Sequence, residues 1–198
     1  MRVAEVVDSS RIYGPGERTV VWLQGCSIKC ENCWNDELWT FDGGKDVQHA
    51  ELIDRARDNG DVGVTLLGGE PLDQAPAVWG FVEAAHKAGL DVLLYTGYEL
   101  NELSRIQQRC VEMADIVIHG RYVHELRSEL LLWRGSTNQE ILVNSPKYQD
   151  LELREHRQME VHIDEFGRVK VIGYPSKELI ESIERQNGTM TDLKIKGE

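Results

Sequence analysis

Three of the four cysteines in this chain, Cys26, Cys30 and Cys33, fall within eight residues in a C-x3-C-x2-C spacing. They follow directly on the apolar run Thr19-Val20-Val21-Trp22-Leu23, which reads as a buried strand. A loop leaving such a strand can bring the three thiolates onto one metal site, one ligand short of closure. Structural zinc takes four ligands, usually from two separated C-x2-C pairs, and no second pair exists here. A [4Fe-4S] cube held by three cysteines keeps one iron open, because such clusters otherwise take a thiolate at every iron. The spacing favours that cluster; zinc, an odd disulfide and chance spacing stay as alternatives.

The 198 residues fit one domain with room for a sizeable core. A formal charge of -12 without a basic stripe argues against a phosphate-backbone binder, so no nucleic-acid partner is expected. No apolar run is long enough to cross a bilayer and the first residues show no signal peptide, so no membrane partner is expected either. Three clustered cysteines do not make a secreted disulfide framework, which points to the cytoplasm. A cluster there would need shelter from oxygen.

Along the chain, Gly14-Pro15-Gly16-Glu17-Arg18 reads as a turn before the first strand, 19–24. Asp46 is expected to cap a helix with Val47, Ala50, Ile53 and Ala56 inward. A second strand, Val62 to Leu67, ends in Gly68-Gly69-Glu70-Pro71, and a helix from Ala75 to Lys87 comes next with Gly89 as its stop. A third strand, Leu90 to Tyr95, ends in Thr96-Gly97-Tyr98. Leu100, Leu103, Ile106, Cys110 and Met113 then recur at helical spacing, before a fourth strand, Asp115 to Ile118. Strands alternating with amphipathic helices predict β/α units around a parallel sheet, with the site at the C-terminal strand ends. From Tyr148 the pattern changes: Met159–Asp164 and Arg168–Ile172 read as a hairpin around Glu165-Phe166-Gly167, and Ser176 caps a last helix, Lys177 to Gln186. The expected division is therefore a core over 1–147 and an extension over 148–198 packed on it.

An open iron calls for a ligand offering an amine and a carboxylate, and Glu70 beside two glycines suits the amine. The C-x3-C-x2-C loop, with Gly68-Gly69-Glu70 one β/α unit later, resembles the radical S-adenosylmethionine (SAM) superfamily. Gly14-Pro15-Gly16-Glu17-Arg18, Gly25-Cys26 and Cys33-Trp34-Asn35 narrow the resemblance to glycyl-radical-enzyme activases. Tyr95 to Tyr98, Asp115 to Tyr122 and Trp133 to Gln139 are similar to activases of the anaerobic ribonucleotide reductase type. The resemblance implies a partial (β/α)6 TIM-type barrel of the radical SAM kind, here with a C-terminal hairpin and helix added. It implies two cofactors, a [4Fe-4S] cluster on Cys26, Cys30 and Cys33, and SAM. The reaction implied is reductive cleavage of SAM to a 5′-deoxyadenosyl radical, which takes hydrogen from a glycine of a partner glycyl-radical enzyme. A flavodoxin- or ferredoxin-type reductant would supply the electron. By the same resemblance Asn32 and Trp34 lie beside the adenine, and Gly68, Gly69 and Glu70 hold the methionyl amine. Thr96, Arg121, Arg134, Ser136 and Asn138 are candidates for ribose, carboxylate or substrate-backbone contacts. Members of that subfamily stop soon after Ser-x-Asn-Gln, whereas this chain continues.

Other residues have plainer readings. Cys110 sits on the apolar face of its helix as a structural thiol, and Trp39 reads as core. His119 is either a satisfied strand-end side chain or a binding group. The remaining histidines lack metal-ligand spacing. Two further functions stay in view: radical SAM modification of a peptide or small metabolite, and a non-catalytic iron–sulfur or zinc module.

Overall fold

The apolar runs divide their side chains between two faces of one sheet, as alternation along a strand requires. The computed structural model describes residues 1–156, 158–163, 166, 169–173, 178, 179, 181, 182, 195 and 196. Seven strands form the main sheet: β1 (Arg2–Ser10), β2 (Arg18–Leu23), β3 (Lys45–Asp46), β4 (Gly63–Gly68), β5 (Asp91–Thr96), β6 (Ile116–His119) and β7 (Glu140–Val143). Their order is β3-β1-β2-β4-β5-β6-β7. β2, β4, β5 and β6 run parallel to their neighbours, while β1 and β7 flank them antiparallel. The helices α1 (His49–Asp58), α2 (Ala75–Lys87) and α3 (Arg105–Met113) make the crossovers.

This is a mixed α/β fold with a mostly parallel sheet. Four parallel strands joined by three helices stand among the described residues, where the resemblance implies six β/α units. After β6 the chain returns antiparallel as β7.

One face of the sheet presents Val21, Leu23, Val64, Leu66, Val92, Leu94 and Val117 to the helices. α2 meets them with Val78, Phe81, Val82 and Ala85, as its spacing predicts, and stops at Gly89, whose φ is 80°. The opposite face carries Val20, Trp22 and Leu67, packed with Val7 and Ile172, and then Leu93, Ile116 and Ile118 with Tyr148. Burial on both faces explains why the parallel strands read as unbroken apolar runs.

Several local expectations change. Residues 2–10, ahead of the expected turn, form the antiparallel strand β1. Asp46 does not cap a helix; it pairs opposite Arg2 in β3, and α1 begins at His49 after Gln48. Leu52, Ile53 and Ala56 fill the α1 core face while Ala50 is exposed, a shift that follows from the later start. The run from Leu100 breaks in two, because Leu103 is extended and Ser104 starts α3 with a capping box closed by Gln107.

The hairpin forms as β8 (Met159–Ile163) and β9 (Val169–Gly173), antiparallel, with Met159 opposite Gly173 and Ile163 opposite Val169. β10 (Ile195–Lys196) runs parallel to β9. Glu165 and Gly167 of the turn, Ser176, and most of the helix expected from Lys177 to Gln186 lie outside the described residues. No helix among the described residues is long and apolar enough to cross a membrane.

Candidate functional site

Because β2, β4, β5 and β6 are parallel and in register, their C-terminal ends open on one edge of the sheet: Leu23 lies opposite Gly68, and Thr96 opposite His119. A cavity of about 240 Å³ occupies that edge, and Cys26, Cys30 and Cys33 all line it together with Gly68, Gly69 and Glu70.

The cysteine loop is held from both sides. The backbone N–H of Gly25 donates to the Leu38 carbonyl (2.9 Å) and that of Cys26 to the Trp39 carbonyl (3.2 Å). Across the mouth, the Asp73 carboxylate accepts from the Ser27 N–H (2.6 Å) and hydroxyl (2.8 Å), and the Tyr98 hydroxyl donates to the same carboxylate (3.0 Å). Lys29 and Asn32 take left-handed backbone angles, φ 53° and 51°, which wind the loop tightly enough to point three thiols one way.

All four cysteines are free thiols. Burial pushes Cys26 and Cys30 above the ordinary thiol range, opposed by backbone N–H groups of Lys29 and Ile28 at Cys26 and of Tyr122 at Cys30. Among the described residues, no three His, Cys, Asp or Glu side chains are placed to hold a single metal ion. Three free thiols on one cavity, two of them met by backbone N–H groups, fit a cluster held by three cysteines.

The Gly-Gly-Glu turn is built into the fold more tightly than its sequence suggests. Gly68 has φ 112°, and a Cβ at Gly69 would overlap the Gly25 carbonyl oxygen, so both glycines let β4 close on the start of the cysteine loop. The backbone N–H of Glu70 donates to that same Gly25 carbonyl (2.8 Å). The Glu70 side chain is 2% exposed. Its Oε1 accepts from the Leu72 N–H (2.8 Å) and the Thr96 hydroxyl (2.9 Å), and its Oε2 from the Gly97 N–H (2.8 Å). Both oxygens are thus engaged within the protein, tying the end of β4 to the end of β5. Burial pushes this carboxyl up to about 7, and the three donors restrain the rise.

Trp34 lines the cavity, its indole N–H donating to the Tyr122 hydroxyl (3.0 Å) and the Arg127 guanidinium 4.5 Å from its ring centre. Arg134 also lines it, paired with Glu155 at 2.5 Å. Thr96 lines it too, but its hydroxyl donates to Glu70 and accepts from the Tyr98 N–H. Four of the residues singled out from the sequence are not on the cavity wall. Asn32 is exposed on the loop, and Arg121 pairs with Glu102 (2.6 Å). Ser136 is fully buried and accepts from the Val123 N–H, while Asn138 donates to the Arg121 carbonyl. Arg121, Ser136 and Asn138 brace the loops after β6, and none of the four lines the cavity. The sequence reading missed Tyr122, Trp133 and Gln139 as wall residues, along with the Ser27–Asp73–Tyr98 clamp. All three wall residues lay inside blocks noted for their resemblance, as did Tyr98; the pairing of Ser27 with Asp73 had no local signal.

His119 is buried on the helix side of β6, 3.8 Å from Glu140, and is not part of the cavity wall. Cys110 is buried in α3, donates to the Ala75 carbonyl (3.3 Å), and burial pushes its thiol up to about 11.

Comparison with known proteins agrees with this geometry. A family model described as a 4Fe-4S single cluster domain matches residues 12–142. The anaerobic ribonucleoside-triphosphate reductase-activating protein of Salmonella typhimurium is 31% identical over 149 residues, spanning 70% of this chain and 96% of that protein. The proteins of the same name from Escherichia coli (strain K12) and Enterobacteria phage T4 are 31% and 30% identical, over 65% and 68% of this chain and 89% and 88% of theirs. Among solved structures, QueE from Escherichia coli overlays loosely, with a TM-score of 0.43 and 17% identity over 60% of this chain and 69% of that one. Three cysteines within a matched single-cluster domain, at the mouth of a parallel sheet, define an iron–sulfur protein of the 4Fe-4S kind. Within that class the chain belongs to the anaerobic ribonucleoside-triphosphate reductase-activating family.

Proposed function

We propose that Cys26, Cys30 and Cys33 hold three irons of a [4Fe-4S] cluster, and that the methionyl end of SAM binds at the fourth. The observation that carries this reading is the single cavity shared by the three free thiols and the Gly68–Glu70 turn, in a chain of the activating family. When bound, the two cofactors supply a 5′-deoxyadenosyl radical, for removal of hydrogen from a glycine α-carbon of an anaerobic ribonucleotide reductase.

The chain's own residues position and enclose. Asp73 fixes Ser27 and so the direction of Cys26. Gly68 and Gly69 let β4 close on the cysteine loop and so form the floor on which the methionyl end of SAM rests, and Glu70 fixes that floor through Gly97 and Thr96. Trp34, braced by Tyr122 and Arg127, offers a flat face to the adenine, and Arg134, its terminal nitrogens held by the Gln139 carbonyl and Glu155, is left for a substrate-backbone contact. Arg121, Ser136 and Asn138 act at one remove, by holding loops, and Asn32 by its left-handed turn within the cysteine loop. The apolar walls, Trp22 and Leu67 among them, keep water from a reactive carbon. Four free thiols and an oxygen-sensitive group suit a cytoplasmic enzyme served by a flavodoxin- or ferredoxin-type reductant.

Anaerobic reconstitution tests the reading. The expected result is about four irons per chain, 5′-deoxyadenosine on adding dithionite and SAM, and a glycyl doublet in the paramagnetic resonance spectrum of the reductase. One tightly bound zinc without 5′-deoxyadenosine would overturn it.

A further inference from the structure

The family model ends at residue 142, and the Salmonella relative is 96% accounted for by 70% of this chain. The tail beyond residue 142 lies outside the matched family model, and it does not sit apart from the site. His156, Gln158 and Gly173 line the same cavity as the three cysteines. They reach it from the sheet face opposite the helices, where Ile172 packs with Val7, Val20 and Trp22.

Two polar holds fix this segment. Glu160 accepts from the Ser10 hydroxyl (2.7 Å) and the Arg11 N–H (2.6 Å), joining β8 to the end of β1. Glu155 pairs with Arg134 on the loop after β6. Gly173 is needed at its place: φ is 91°, and a Cβ there would overlap the Gln158 carbonyl oxygen. The tail therefore bridges β1 on one side of the cavity to the 131–139 loop on the other.

On that loop, Trp133 holds a left-handed backbone, φ 59°, which aims its ring at the cavity wall. Its indole N–H and the Nε–H of Arg134 are buried, and neither has a hydrogen-bond partner among the described residues. Two orphaned donors on residues that line the same cavity as Gln158 ask for acceptors. An extended polypeptide supplies a carbonyl at every residue.

We propose that Glu155, His156, Gln158 and the strands β8 and β9 form a specificity wall for the protein substrate, closing the helix-free side of the cavity so that the reductase's glycine-bearing segment is read by Gln158, Trp133 and Arg134. This rests on the functional reading above, and it deepens that reading by assigning the substrate subsite to the tail. Gln158 is then a specificity-determining residue, and Glu155 and Glu160 are positioning residues.

The test uses full-length reconstituted enzyme and the full-length reductase of the same organism. A photo-crosslinking p-benzoylphenylalanine at position 158 should join the enzyme to the reductase peptide that carries the radical-bearing glycine. A crosslink confined to other regions, or none, overturns the proposal. Independently, Glu155→Gln combined with Glu160→Gln should raise the KM for the reductase about tenfold, the scale of one charge-assisted hydrogen bond. Iron content and the Kd for SAM should stay as in the parent. An unchanged KM with intact SAM binding overturns the wall while leaving the cofactor reading in place. Failure of the parent enzyme to bind SAM or form 5′-deoxyadenosine removes that reading instead.

Discussion

Arg18 and Asp91 meet at 2.6 Å, with side chains 1% and 7% exposed, at the N-terminal ends of β2 and β5. They lie at the edge of the sheet opposite the cysteines. Arg18 spreads its remaining donors over the Thr65 hydroxyl and the carbonyls of Pro15, Val64 and Asp91. Lys147 (2.6 Å) and the Tyr148 hydroxyl (2.5 Å) complete the shell on Asp91 Oδ2. This places the arginine of the Gly-Pro-Gly-x-Arg stretch at the base of the sheet, far from any cofactor contact. Removing Arg18 takes away the buried partner of Asp91 and leaves only Lys147 and Tyr148 on it, so Arg18→Met should lower unfolding free energy by about 3 kcal/mol, the low end for a broken buried pair. Urea titration of the metal-free chain reads it. Arg18→Lys should recover little, since one ammonium cannot reach five acceptors in a planar fork.

The same pair gives an acid limb to stability. Burial pushes the Asp91 carboxyl up, but Arg18, Lys147 and Tyr148 together hold it below its ordinary 3.8. A carboxyl depressed in the folded state stabilises fully above the unfolded value, and the benefit is lost as pH falls below 3.8 through the folded one. Urea midpoints of the parent should fall below pH 4, and Asp91→Asn should flatten that fall while lowering stability at neutral pH.

Glu70 has the opposite sign. Its folded value, about 7, exceeds its ordinary 4.5, so its contribution is complete below 4.5 and declines as pH rises towards 7. Thr96→Val removes one donor to the carboxylate and the acceptor for the Tyr98 N–H. The variant should lose about 1–3 kcal/mol, and its decline with pH should extend further to the alkaline side. Urea titrations between pH 4 and pH 9 check both statements; a pH profile identical to the parent's would contradict the assignment to Glu70.

The parallel strands were legible because each is buried on both sides and so reads as an unbroken apolar run. α2 was legible from Val78, Phe81, Val82 and Ala85. β1 was not, because Glu5, Asp8 and Ser9 interrupt its pattern and its pairing with β2 shifts register twice. β3 is two charged residues, Lys45 and Asp46, with nothing to mark them but their partners Val3 and Arg2. At the site, the cysteine spacing is a local signal. The three donors that converge on Glu70 come from two strand ends, and the clamp of Ser27, Asp73 and Tyr98 from three separate loops. Such convergence is a product of the fold and leaves no spacing to read.

Gly69 offers a test of the close approach between β4 and the cysteine loop. Gly69→Ala would force its Cβ against the Gly25 carbonyl oxygen, a backbone atom that cannot rotate away. Overpacking of this kind costs about 1–3 kcal/mol, and relief must come from moving Gly25 and with it Cys26. The variant should therefore fold with a lowered melting temperature and bind clearly less iron per chain. Full iron content at an unchanged melting temperature would show that the two segments are not in contact.

The cysteines themselves divide three to one. Cys30→Ala removes a thiol on the cavity wall and should abolish stable cluster binding, read as loss of iron and of the visible absorption after reconstitution. Cys110→Ala removes a thiol whose hydrogen bond runs to the Ala75 carbonyl, inside the contact between α2 and α3. Burial holds it near 11, so it stays a neutral packing group at physiological pH. It should keep the full iron content and SAM cleavage of the parent while losing about 1–2 kcal/mol of stability. Loss of iron in Cys110→Ala, or its retention in Cys30→Ala, would contradict the ligand set.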